Sequence, residues 1–303
     1  MTRLDLFRNI LCPVDFSEHS RQALRYAALL ACRTQARLTA IFVEDPLLVA
    51  ATRGMTAPAT TRTALRRFVE RVVASYGVQP GSMRFQVGTG KPSLEIARAA
   101  ERSGSDLIVM GAHGLTGASK MILGSTTEHV LRRVKVPVLA IPPFKGRASA
   151  APSRGWPDKW SLAAVDLGRR LRNDVATATE VADGLGTLVV LLHVVQPHNR
   201  SRLLKARARL EKLRQKLTSS TVVACRVLAG KPDEQIAAAA ADADVDLVIL
   251  TRRRGKGLFG ARLGSTSYQV LCEAGTPVLA LPSNRNWLRR APSASDDRAR
   301  VAG

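Results

Sequence analysis

The sequence predicts an α/β protein built as two tandem, open, mostly parallel sheets flanked by helices. The first observation behind this is an internal repeat, which has to be found before any element is assigned. Residues 105–111 (SDLIVMG), 123–126 (LGST) and 136–142 (VPVLAIP) return 140 residues later as 245–251 (VDLVILT), 263–266 (LGST) and 276–282 (TPVLALP). Gly90-Lys91-Pro92 returns as Gly230-Lys231-Pro232 at the same offset, and Val14-Asp15 returns as Val165-Asp166 at an offset of 151. The second observation is that short runs rich in Val, Ile and Leu alternate with longer segments of helical period, a βαβ pattern. Strands that are apolar without alternation need cover on both faces, as parallel sheets have.

In the first copy, residues 9–14 read as a strand. Residues 17–34 read as a helix started by Ser17, with Ala23, Leu24, Ala27, Leu30 and Ala31 on one face. Residues 38–43 form the next strand, and Leu65, Phe68, Val69, Val72 and Val73 give 61–76 a helical period. Residues 83–87 read as an edge strand, 92–103 as a helix, 107–110 as a buried strand, 125–134 as a helix and 136–141 as the last strand. The second copy repeats the scheme. Pro152, Gly155 and Pro157 among small and basic residues mark a connection. The expected domains are 1–143 and 160–283, with a linker at 144–159 and a basic, flexible tail at 284–303.

Composition narrows the function classes. An apolar content of 46% with 23% charged residues excludes a disordered chain, and no run approaches the ~20 apolar residues of a membrane helix. Arg3 and Asp5 precede the first strand with no separate apolar leader, so a cytoplasmic protein is expected. Cys12, Cys32, Cys225 and Cys272 form no C-x-x-C pair, against a zinc knuckle or a disulfide framework. The net charge of +22 divides evenly, with 21 basic and 10 acidic residues up to residue 150 and 25 and 14 beyond it. An even split fits a generally basic surface rather than one basic tail.

The chemistry concentrates in residues 111–127 (GAHGLTGASKMILGSTT), at the carboxyl end of a strand, where open parallel sheets bind ligands. Glycine lets backbone N–H groups approach a phosphate, and Ser125 and Thr126 add hydroxyls at a helix start. The spacing fits neither the lysine-containing phosphate loop nor the G-x-G-x-x-G dinucleotide fingerprint. On residues alone, the glycines also suit a tight strand-to-helix connection, Asp15 a helix start beside Ser17, and His113 an exposed loop.

With G-x2-G-x9-G-[S/T] met by Gly111, Gly114, Gly124 and Ser125, the chain resembles a tandem universal stress protein. The resemblance covers both copies. It implies a Rossmann-like five-stranded sheet of order 3-2-1-4-5 in each, pairing through the last strands, and ATP as the ligand of members with the glycine motif. Carried over, Pro13 and Asp15 would lie near the adenosine and Val43 would meet the adenine edge through its backbone. Met110, Gly111, His113 and Gly114 would line ribose and phosphates, and Gly124, Ser125 and Thr126 would hold the phosphate tail. Magnesium would come with the nucleotide, through its phosphates.

The second copy departs from the motif, with Thr251 in place of Gly111 and Arg254 in place of Gly114, while Gly264-Ser265-Thr266, Asp166 and Val194 remain. The expected role is an internal dimer partner without ordinary ATP binding, the two copies pairing through residues 137–141 and 277–281. Further pairing of whole chains stays open. A competing reading gives the second loop an anion site made of Arg252, Arg253, Arg254 and Lys256.

No H-E-x-x-H, G-x-S-x-G or carboxylate cluster is present, so the chain reads as a nucleotide-binding stress-response regulator rather than an enzyme, with slow hydrolysis left open. The other function class is a nucleic-acid or polyanion binder. It rests on residues 200–217, where eight basic residues surround Leu203, Ala206, Leu210, Leu213 and Leu217 at helical spacing. With 4% aromatics and no stacking motif, only non-specific contact is expected, and the apolar stripe also fits packing on the sheet.

Overall fold

The computed structural model describes residues 6–46, 58–113, 122–143, 152–168, 170–196, 200–217, 221–242, 244–252, 254–255 and 262–288. In the first half, the continuously apolar runs form β1 (Asn9–Pro13), β2 (Arg37–Glu44), β3 (Met83–Thr89), β4 (Leu107–Gly111) and β5 (Val138–Ile141). Helices α1 (Glu18–Thr34), α2 (Pro58–Val73), α3 (Pro92–Arg102) and α4 (Ser125–Arg133) connect them. The second half repeats this with β6 (Trp160–Ala164), α5 (Leu171–Leu185), β7 (Leu188–Val195), α6 (Arg200–Arg214), β8 (Val222–Ala229), α7 (Pro232–Ala240), β9 (Val245–Thr251), α8 (Ser265–Glu273) and β12 (Val278–Leu281). A short antiparallel pair, β10 (Arg254–Gly255) and β11 (Arg262–Leu263), lies between β9 and α8.

Local chemistry sets the ends. The Ser17 hydroxyl accepts from Ser20 N–H at 3.1 Å and caps α1, which closes on Gln35 in the left-handed region. The repeated Gly-Lys-Pro has the same geometry in both halves: Gly90 and Gly230 share φ 137°, which glycine tolerates, and proline opens α3 and α7.

Both halves have the strand order 3-2-1-4-5, as expected, but they are not two separate sheets. One ten-stranded sheet runs β3-β2-β1-β4-β5-β12-β9-β6-β7-β8, parallel throughout except at its centre. There β5 and β12 pair antiparallel, with Leu139 directly opposite Leu279. Each last strand would otherwise present an apolar edge, and the pairing removes both. One core lies under α1, α2, α5 and α6, the other under α3, α4, α7 and α8.

Side chains from outside the repeats complete the core. Trp156, in the segment assigned to the linker, is buried with its ring 4.6 Å from Tyr26, and its indole N–H donates to Asp246 O at 3.1 Å. Trp287, beyond β12, is also buried. The aspartate that opens the fourth strand does the same job twice. Asp106 accepts from Arg8 N at 2.8 Å and Asn9 N at 3.1 Å, and Asp246 from Asp158 N at 2.9 Å and Lys159 N at 2.8 Å. Burial pushes the Asp106 carboxyl up to about 6, against the opposing pull of those two N–H groups.

Two arginines join the halves. Arg33, at the end of α1, donates to Trp156 O at 2.7 Å, Pro157 O at 3.2 Å and Leu185 O at 3.1 Å. Arg252, just after β9, is buried and donates to Val134 O at 3.2 Å, Val136 O at 2.9 Å and Leu131 O, closing the end of α4.

Candidate functional site

At the carboxyl ends of β1 and β4 the strand order reverses, and there a cleft of about 390 Å³ opens. Pro13 and Asp15 enter it from the exit of β1, Val43 from β2, Met110 and Gly111 from β4, His113 from the loop behind, and Gly124, Ser125 and Thr126 from the start of α4. Every residue expected at the site thus lines this one cleft, apart from Gly114, which falls outside the described residues.

The strand-to-helix connection is tied at its base. Gly124 N–H donates to Ala112 O at 2.9 Å, and the Thr127 hydroxyl donates to Gly111 O at 2.8 Å. The start of α4 is therefore held against the end of β4, with the positive end of the helix and its first N–H groups at the cleft. Gly111 has little room: a Cβ there would stand 3.3 Å from His113 O and 3.4 Å from the His19 Cβ. Across the cleft, one oxygen of Asp15 accepts from Ser17 N at 3.0 Å and from the Ser17 hydroxyl at 2.5 Å. That carboxylate is exposed yet fixed in direction. Beneath it Cys12 is fully buried, and burial, with the Asp15 charge adding to it, pushes its thiol up and leaves it inert.

Sequence reasoning missed several wall residues, among them His19 and Ser20 from the first turn of α1, Phe42, Pro92, Ile96 and Thr127. Pro92 had a signal, since the repeated Gly-Lys-Pro places it at the start of α3. Phe42 had none. Its ring lies 4.9 Å from Phe16, whose ring lies 5.3 Å from Phe68, with the Arg21 guanidinium 4.9 Å over Phe68. Phe16 itself takes φ 62°, uncommon for a bulky residue, and so turns its ring onto Phe42.

The second half has the corresponding cleft, of about 340 Å³, with different chemistry. Thr251 stands where the first half has Gly111, His193 where it has Phe42, and the buried Asp174 where it has Ala23. Asp166 and Asp174 make this wall acidic. The arginine-based anion site loses its first member, because Arg252 is turned away and buried against the end of α4. Arg253 and Lys256 lie outside the described residues, as does the Arg254 side chain. Among the described residues no group of His, Cys, Asp and Glu is placed to hold a metal ion, and no helix is long and apolar enough to cross a membrane.

Comparison with known proteins agrees with this architecture. The model of the universal stress protein family matches the chain twice, over residues 6–142 and 162–282. The chain belongs to the universal stress protein family and carries two of its domains in tandem. A universal stress protein of Methanocaldococcus jannaschii is 30% identical over 148 residues, covering 45% of this chain and 83% of the relative. A putative universal stress protein of Staphylococcus aureus is 28% identical over 142 residues, covering 45% and 84%. Among solved structures, a putative universal stress protein of Pseudomonas aeruginosa covers 96% of this chain and 98% of its own, with TM-score 0.65 and 18% identity. A universal stress protein of Archaeoglobus fulgidus covers 92% and 97%, with TM-score 0.62 and 20% identity. At those identities the structures speak to the fold alone.

Proposed function

We propose that the chain is a cytoplasmic ATP-binding regulator of the stress response, with the nucleotide held in the first-half cleft and the second half acting as its built-in dimer partner. One observation carries the reading: the ends of β1 and β4, the start of α4 and two of the family's glycines, Gly111 and Gly124, line one cleft. In this reading Pro13 and Asp15 lie near the adenosine, Val43 meets the adenine edge through its backbone, and Met110, Gly111, His113 and Gly114 line ribose and phosphates. Gly124, Ser125 and Thr126 take the tail at the helix start. Magnesium fits as a companion of the phosphates, for the oxygen donors at the start of α4 and across from it include Asp15 and the hydroxyls of Ser125 and Thr126. The residues supply binding and orientation.

The first test is Gly124→Val. Gly124 has φ −56° and ψ 134°, a backbone that valine adopts without strain, so the fold should persist while the branched side chain fills the cleft. Calorimetry should show ATP affinity falling at least ~10-fold, the factor that ~1.4 kcal/mol of lost contact represents. Unchanged affinity in a folded variant would reject the site. Stoichiometry is the second test. The acidic wall and Thr251 argue against a triphosphate in the second cleft, so titration should give one ATP per chain, and two equivalent sites would refute the division of roles.

A further inference from the structure

The basic helix of the second half is separate from either cleft. α6 packs on β7 and on β8, the edge strand of the sheet. It carries seven basic residues and one acid, Glu211, which Arg214 already engages at 2.5 Å. Its counterpart in the repeat, α2, carries Arg62, Arg66, Arg67 and Arg71 against Glu70, and Arg66 sits over the Phe85 ring. The two halves share an overall charge, but α6 carries more of it on one helix than α2 does.

At 100° per residue, Arg202, Lys205, Arg209 and Lys212 follow one another at i, i+3, i+7 and i+10 down one flank, over about 15 Å of helix. All four are exposed. Arg200, Arg207 and Arg214 take the other flank at heptad spacing. The apolar stripe is already occupied, since Ala206 and Leu210 are buried and Leu213 and Leu217 pack on the core. Facing outward between the flanks are Ser201, the 61% exposed Leu204 and Ala208. A helix that binds a lipid surface needs a broad apolar face to insert, and this one has given that face to the sheet. It has no aromatic side chain on which an unpaired base would stack. What remains is a row of exposed cations, of which Arg202 also donates to Gln196 O at 3.2 Å, complementary to a regular row of phosphates.

We propose that α6 is a docking surface for the phosphate backbone of double-stranded nucleic acid, engaged without reading base sequence. The contact goes beyond nucleotide binding and does not depend on it. Affinity comes from released counterions, so it carries a defined salt dependence.

The test uses the full chain and a labelled duplex of about 25 base pairs, followed by fluorescence anisotropy from about 50 to 200 mM salt. Four phosphate contacts predict a slope of log K against log salt near −3.6, so affinity should fall about a hundredfold over that range. The variant R202Q/K205Q/R209Q/K212Q should lose most of that slope. R62Q/R67Q/R71Q/R84Q removes the same charge from exposed positions in the other half and should keep it. Circular dichroism checks folding, and K205E/R209E serves if the fourfold variant does not fold. The proposal fails if the wild type does not bind at the lowest salt, if the α6 variant keeps the slope, or if both fourfold variants lose it equally. Binding to phosphatidylserine vesicles without binding to the duplex would overturn it in favour of a lipid surface. Gly124→Val should leave duplex binding unchanged, which separates failure here from failure of the nucleotide site.

Discussion

Replacing Leu279 with aspartate should abolish the cooperative fold or lower its stability by more than about 4 kcal/mol. Leu279 is 2% exposed and Leu139, directly opposite it, 1%. Leu279 also lies beside Ile249 on the parallel side of β12. Losing the burial of one leucine costs about 1.5–3 kcal/mol, and a carboxylate with no counter-charge in that position adds a penalty of several more. Against a usual domain stability of about 5–15 kcal/mol, the sum removes a large share. Urea unfolding followed through the buried Trp156 and Trp287 provides the measurement. Leu279→Met, which keeps volume and polarity, should stay within about 1.5 kcal/mol of the wild type. A Leu279→Asp protein with an unshifted midpoint would show that the central strand pair does not hold the halves together.

The second large effect is expected at Arg252. Its guanidinium is buried and satisfies carbonyls of Leu131, Val134 and Val136, just where α4 ends and its carbonyls have no partner within the helix. The cation also sits at the negative end of that helix. Arg252→Ala removes the donors and strands the acceptors, so a loss of about 3 kcal/mol is expected from chemical unfolding, with faster amide exchange at the end of α4. Arg252→Lys keeps the charge but replaces a rigid fork with a single ammonium, and should recover only part. A change below about 0.5 kcal/mol in the alanine variant would place the guanidinium in solvent.

Much of the architecture was legible because it rests on local pattern. Uninterrupted apolar runs such as 107–110 and 278–281 have no polar face to give water, which selects buried parallel strands. The spacing of Gly111, Gly124 and Ser125 places the cleft because a strand exit and a helix start must meet there. Other features depend on distant partners. Pro152, Gly155 and Pro157 hid Trp156, whose burial needs Tyr26 and Asp246, residues far off in sequence. Arg252 looked like part of an exposed cationic cluster, and only the antiparallel joint brings the end of α4 to it. Phe16 joins Phe42 and Phe68 through one left-handed residue, which no periodicity records.

The antiparallel joint at Leu139 and Leu279 gives this chain a freedom that a pair of identical subunits lacks. In such a pair every substitution is made twice, once on each side of the axis, and must be tolerated in both places. Here the position matching Arg252 in the first half is Ala112, which is buried and small. One side can thus supply the clasp while the other receives it, and one cleft can drift in composition without disturbing its neighbour. Because the link is covalent, the partnership does not dissolve on dilution: each half meets the other at a fixed effective concentration, whatever the abundance of the protein in the cell.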